Sequence, residues 1–158
     1  LMKIRLMVIG KPKFKYLSTG EKEYEKRLAN YCKLEEIIIP NPKGISSLNK
    51  KKLKVLEGDI ILSKLKKNDH LVLLDENGTL LSSIDFADFM KNKMLTHSKS
   101  LVFLIGGAYG FSNNIYKRSN KNISLSKMTF SHQMVRLFFK EQLYRAFTII
   151  NNTKYHHF

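Results

Sequence analysis

The chain has 158 residues, 43% of them hydrophobic, and a formal net charge of +15 from 28 Lys and Arg against 13 Asp and Glu. A chain of this size and composition can bury a core of its own, which excludes a disordered segment and a small domain held together by disulfides. Its one cysteine, Cys32, cannot form an internal disulfide, and we expect it to be a small residue on a helix face in a reducing compartment.

Apolar runs typical of strands alternate with amphipathic segments typical of helices. In chain order, the predicted elements are strand 3–10, helix 18–32, strand 34–40, helix 45–67, strand 70–75, helix 82–94, strand 100–107, helix 112–120, strand 123–126 and helix 132–152. Several of the strands are continuously apolar, as parallel strands covered on both faces are. We therefore predict an α/β fold, a parallel-rich sheet with helices on both faces, in one domain over residues 1–158.

Local signals place some of the boundaries. Ser18 and Glu21 have capping-box spacing, Ser82 stands as an N-cap, and the sequence ENG at 76–78 predicts a turn after a short strand. The last helix has an apolar stripe that is expected to face the core, made of Val135, Phe138, Phe139, Leu143, Ala146 and Phe147.

The hydropathy of the chain predicts no membrane segment. No stretch approaches 18 consecutive apolar residues, and the apolar start of the chain is too short for a signal peptide. We expect a soluble protein of the cytoplasm.

The charge is unevenly distributed along the chain. Between Asp88 and Glu141 there is no acidic residue, while the interval holds nine Lys and Arg. A solvated surface usually mixes the two signs. The excess of positive charge has two explanations: solubility or a lysine-rich composition, and a polyanionic partner. The uneven distribution of the charge favours contact with RNA or DNA.

The segment LVFLIGGAYGF, residues 101–111, ends an apolar strand on glycines. In parallel sheets, ligands bind at the carboxyl ends of the strands, and LIGGAYG and LLDENG are the two ends that stand out. Gly107 and Gly110 match the last two positions of a dinucleotide fingerprint, but Ile105 stands at the first, and no G-K-[ST] follows. A tight turn and a main-chain cradle for a ligand both remain open.

Longer motifs favour the ligand-cradle interpretation of the glycine turn. In order and spacing, EYEKRL, LLDENGTLLSS, LIGGAYG, SLSKMTFSHQMVRLFFKEQLYRAF and the terminal YHHF resemble the ribosomal large subunit methyltransferase H family, within the SPOUT superfamily of RNA methyltransferases. The resemblance covers nearly the whole chain. It implies methyl transfer from S-adenosyl-L-methionine to N3 of pseudouridine 1915 in 23S rRNA, a trefoil knot near the C-terminus and a homodimer.

The resemblance also implies where the methyl donor binds, and so what approaches the glycine turn. The donor-binding residues carried over are Leu74, Gly106, Leu125, Ser126, Lys127, Met128, Thr129 and Phe130. No metal is expected, because the five histidines lack metal-ligand spacing.

Removing the N3 proton of a pseudouridine requires a base or a stabilising charge. His132, Arg136 and Lys140 share one face of the last helix, and we hypothesise that this face meets RNA. Arg136 and Arg145 are candidates to bind phosphate or to stabilise the developing anion. His132 is either the base or a hydrogen-bonding residue at the helix start. Arg145 also has the spacing to pair with Glu141.

The terminal residues KYHHF have two interpretations. The first is a frayed terminus. The second, implied by the resemblance, is that Tyr155 and His156 complete the active site. Two residues depart from the family: Ser131 stands where Pro is frequent, and His157 where Lys or Arg is frequent, which puts the charge of the tail in doubt.

Two other functions remain open on the sequence alone. One is a non-catalytic RNA-binding protein of the same fold, and the other is a SPOUT methyltransferase acting on tRNA. The motifs leave undecided which group takes the proton, which subunit supplies each residue and whether free rRNA or the assembled ribosome is the substrate.

Overall fold

The computed structural model of the chain describes residues 1–42, 49–96 and 100–158, and over these it has a five-stranded sheet in which every pairing is parallel. The strands are β1 (Met2–Ile9), β2 (Cys32–Ile39), β3 (His70–Leu80), β4 (Leu101–Ile105) and β5 (Lys121–Ser124), in the order β2-β1-β4-β3-β5. The helices are α1 (Lys15–Leu28), α2 (Lys50–Ser63), α3 (Ser83–Thr96), α4 (Asn113–Arg118) and α5 (His132–Ile150).

Helices cover both faces of this sheet, as predicted. Alternate residues of the strands enter two separate apolar clusters, because successive strand side chains point to opposite faces. One cluster joins Phe103 to Phe86 of α3 and Phe139 of α5, and the other joins Leu104 to Ile115 of α4. The predicted α/β fold class is confirmed. The knot stays a prediction, and the position of β3 between β4 and β5 is consistent with it.

The N-terminal half differs from the sequence prediction in three places. Helix α1 begins at Lys15 after Phe14, so the predicted cap Ser18 lies inside the helix. Cys32 begins β2 and does not lie on a helix; it is buried, and burial raises the pKa of its thiol to about 12. Helix α2 begins after Asn49, which caps it, and ends at Ser63, before the predicted end at residue 67. The predicted start at 45–48 lies outside the described residues.

Strand β3 is longer than predicted. It continues past Asp75 to Leu80 with a register shift between Leu74 and Thr79, because its second half also pairs with β5. A Cβ at Gly78 would lie 2.7 Å from the carbonyl carbon of Asn122, so only glycine lets the two main chains approach this closely.

Two buried cations attach α5 to the rest of the fold. Arg136 donates a hydrogen bond of 2.7 Å to the carbonyl of Ile9, at the end of β1. The Lys140 ammonium has three carboxylate partners, whose oxygens lie at 2.8, 2.7 and 3.3 Å and belong to Glu21, Glu25 and Glu36. These carboxylate oxygens lie within 4.8 Å of one another, and Lys140 occupies the position that a metal ion would take.

Among the described residues, no helix is both long and apolar enough to cross a bilayer.

Replacing Lys140 with Ala should destabilise the fold markedly. Burial alone would lower the pKa of Lys140, but its carboxylate partners raise it, so the side chain is charged and compensates its neighbours. Its removal leaves carboxylates without a counter-ion, which costs about 3–5 kcal/mol for buried pairs. Urea unfolding followed by circular dichroism measures the loss.

The matched control is Lys3→Ala, which breaks the exposed Lys3–Glu35 pair. Exposed pairs contribute about 0–1 kcal/mol, so this variant should unfold close to the wild type. Equal losses in the two variants would contradict an anchoring role for Lys140.

Candidate functional site

A cavity of about 370 Å³ opens at the carboxyl end of β4 and at the register shift within β3, where the predicted strand 70–75 ends. Four segments form its wall: residues 74–76, the glycine turn after β4, the loop between β5 and α5, and the first turn of α5. These are the strand ends that the sequence predicted as the ligand-binding edge. The volume falls within the range of small-ligand sites, about 300–1,000 Å³.

Contacts inside the chain and the main-chain conformation favour glycine at this turn. A Cβ at Gly106 would lie 2.8 Å from the ring of Phe111, and a Cβ at Gly107 would lie 2.8 Å from a carboxylate oxygen of Glu57. Gly110 has a φ of +83°, which other residues rarely adopt. The tight-turn interpretation therefore explains the glycines, and the same turn brings main chain into the wall of the cavity.

Seven of the eight residues expected to hold the donor lie in the wall of the cavity. These are Leu74, Gly106, Leu125, Ser126, Met128, Thr129 and Phe130. Lys127 is not one of the lining residues. The loop is ordered locally, since the Ser126 hydroxyl accepts a 2.9 Å hydrogen bond from the main-chain N–H of Met128.

Two carboxylates on the same wall were not singled out from the sequence. Asp75 accepts a 2.7 Å hydrogen bond from Tyr116, and Glu76 accepts one from the Thr129 hydroxyl. Burial and the bond to Asp75 raise the pKa of Tyr116 to about 12. The strand end LLDENG was the available signal. These acids give the cavity a negative side in a strongly basic chain.

His132 lines the cavity from the first turn of α5. The preceding residue, Ser131, is the N-cap and accepts a hydrogen bond of 3.3 Å from the N–H of Met134. Burial, followed by the charges of Arg136 and Lys13, lowers the pKa of His132. The imidazole is therefore neutral at physiological pH and able to accept a proton.

The prediction that His132, Arg136 and Lys140 form an RNA-facing surface is wrong. The side chains of Arg136 and Lys140 are both 0% exposed, and they face β1, β2 and α1. Arg136 therefore reaches no RNA phosphate in this structure. Its Nε and Nη1 atoms have no hydrogen-bond partner among the described residues.

The tail forms a second cluster, at the other end of α5. One oxygen of Glu141 accepts hydrogen bonds from the Arg145 guanidinium and, at 3.2 Å, from the Tyr155 hydroxyl. Arg145 also lies 3.2 Å from Nδ1 of His156, and the hydroxyls of Tyr24 and Tyr155 lie 3.1 Å apart. Side chains hold the tail in place, which contradicts the frayed-terminus interpretation.

His132 and Arg145 lie apart within one chain. His132 and Arg145 are 13 positions apart on α5, which corresponds to about 20 Å along a helix axis. The predicted catalytic residues therefore do not converge on one point of a single chain. His132 adjoins the cavity, and Arg145, Tyr155 and His156 form a separate group.

Comparison with known proteins agrees with this architecture. A family model described as "Predicted SPOUT methyltransferase" matches residues 2–156. Proteins named "Ribosomal RNA large subunit methyltransferase H" from Flavobacterium johnsoniae and Christiangramia forsetii are each 53% identical over 156 residues, covering 99% of this chain and 99% of the relative. A protein of the same name from Cytophaga hutchinsonii is 50% identical, over 99% of this chain and 100% of its own length.

These matches extend over almost every residue of the chain, including the strand ends, the loop after β5 and the tail. The chain belongs to the SPOUT methyltransferase family.

Proposed function

We propose that this chain transfers a methyl group from S-adenosyl-L-methionine to N3 of a pseudouridine in 23S rRNA. The observation that carries the proposal is the cavity beside the middle of β3 and the end of β4, walled by the glycine turn, apolar side chains, two carboxylates and His132. The relatives' name supports large-subunit rRNA as the substrate. Activity on ribosomal RNA also accords with the net charge of +15 and with a cytoplasmic location.

The lining of the cavity fits a cationic nucleoside. The donor carries a sulfonium and an ammonium group, and Asp75 and Glu76 are the acidic groups that face the cavity. Leu74, Gly106 and the loop 125–130 would hold it, largely through main chain. When bound, the donor supplies an already activated methyl group, so the chain's residues have to align the acceptor and remove its proton.

His132 is our candidate for that base. Its imidazole lines the cavity, and its lowered pKa keeps the ring unprotonated near neutral pH, the form that accepts a proton. Arg145 is the candidate to stabilise the developing anion, with Tyr155 and His156 beside it.

A homodimer would bring these residues together. Since about 20 Å of helix separates His132 from Arg145, the tail cluster of one subunit has to act at the cavity of the other. Exposed apolar side chains near the cavity support coverage by a second copy; Met128 is 75% exposed, and Tyr109, Phe130 and Met134 are partly exposed. The substrate would be the ribosome or its large subunit, which supplies the recognition surface that one small chain lacks.

Methylation of ribosomes tests the proposed function. Purified protein with labelled S-adenosyl-L-methionine should label 23S rRNA in ribosomes at one pseudouridine, identified by mass spectrometry of nuclease fragments. Purified tRNA is the comparison substrate. Labelling of tRNA in its place, or RNA binding without transfer of label, would support the other two functions.

Replacing His132 with Ala should remove the acid limb of the pH–rate profile. In the wild type, the rate should fall as pH drops below the pKa of His132, which lies below the usual value near 6.5, because the protonated imidazole accepts no proton. The variant should be slower by about 10²–10⁴-fold and show no such limb. Single-turnover rates between pH 5 and 9 provide the measurement, and a full rate across that range in the variant would exclude His132 as the base.

Deleting residues 155–158 should abolish methylation and leave the fold and donor binding intact. None of the residues that the tail contacts, Tyr24, Glu141 and Arg145, is among those that line the cavity. Calorimetry should therefore give a wild-type dissociation constant for the donor, with no labelled rRNA. Normal turnover would refute a catalytic tail.

Mixing the two defective chains tests whether the active site is shared. A heterodimer of the His132→Ala chain and the tail-deleted chain has one intact composite site out of two. At equal concentrations about half of the dimers are heterodimers, so about a quarter of wild-type activity should return. Each variant alone provides the baseline. If both groups acted within one subunit, mixing would restore nothing.

A further inference from the structure

Glu57 is a buried carboxylate that the proposed chemistry does not use. It lies on α2 and is 6% exposed. Burial raises its pKa, with no counter-charge contributing. A carboxylate in such a position is costly unless something compensates its charge.

Nothing among the described residues compensates it. No hydrogen-bond donor or cation of residues 1–42, 49–96 and 100–158 pairs with the Glu57 carboxylate, although Lys54 lies one turn earlier on the same helix. Its other neighbours on α4 and the glycine turn, such as Ser112 and Ile115, carry no charge.

The carboxylate lies directly behind the wall of the cavity. Its two oxygens are 2.8 and 2.9 Å from the position that a Cβ on Gly107 would take, and Gly107 lines the cavity on its other side. Only the main chain of a residue without a side chain therefore separates this charge from a bound ligand.

We propose that Glu57 sets the charge preference of the cavity, favouring a cationic sulfonium over a neutral thioether. This inference rests on the proposed function. Glu57 acts across Gly107 through its electrostatic field, whereas Asp75 and Glu76 lie in the wall itself. Methyl transfer converts the sulfonium of the donor into the uncharged sulfur of S-adenosyl-L-homocysteine. The field of Glu57 therefore stabilises the bound donor and ceases to hold the product, which assists product release.

The test compares the two ligands in calorimetry at pH 8, well above the ordinary pKa range of a carboxyl group. In Glu57→Gln, the dissociation constant of S-adenosyl-L-methionine should rise about tenfold, while that of S-adenosyl-L-homocysteine stays within about twofold. Glu57→Asp keeps the charge and should give an intermediate ratio. Asp59→Asn removes the same charge from an exposed position of α2 and should leave the ratio unchanged.

Each other outcome overturns the inference. Equal weakening of both ligands assigns Glu57 a structural role only, and an unchanged ratio in Glu57→Gln removes it from ligand selection. Should Glu57→Gln fail to fold, Glu57→Ala removes the same charge, and an unchanged ratio in that variant overturns the inference equally. A wild type that binds neither ligand refutes the proposed function itself, whereas a wild type that binds both with a ratio independent of residue 57 refutes this inference alone.

Discussion

The buried cations of α5 fix the position of this helix, and both the cavity at His132 and the tail cluster at Arg145 depend on that position. An ammonium group without water has to keep its carboxylate partners, so Lys140 holds α5 against α1 and β2 in one rotation and one register. Arg136 adds a bond to the end of β1. With these two residues in place, His132 lies at the cavity and Arg145 near the tail. Sliding or rotating the helix would break the ion cluster before it moved either group.

The fold follows from the sequence because several of its strands are continuously apolar. Runs such as LVFLI are suited only to strands covered on both faces, and their alternation with helices predicts a parallel sheet with its ligand edge at the carboxyl ends. The rotation of α5 could not be predicted in the same way. Its apolar residues surround much of the helix, and the long stems of Arg136 and Lys140 are compatible with burial. The partners that make burial possible, Glu21 and Glu36, are more than 100 positions away in sequence.

The candidate site likewise contains residues that the sequence could identify and residues that it could not. The loop 125–130 and the strand end at Leu74 could be identified because they are contiguous motifs, and seven of the eight expected residues line the cavity. Glu57 could not be identified from the sequence, because its proximity to Gly107 arises from the packing of α2 beneath the glycine turn. Ser131, noted as a departure from the family, is compatible with the helix start because its side chain caps α5.

The buried thiol of Cys32 has a practical consequence. A thiol whose pKa is raised to about 12 supplies almost no thiolate at neutral pH, so alkylating reagents react with it slowly. Since it is the only cysteine in the sequence, a second one introduced at an exposed position would be the sole attachment point for a maleimide dye. Fluorophores placed in this way on the last residues could follow the undocking of the C-terminus in solution, without removing the native cysteine.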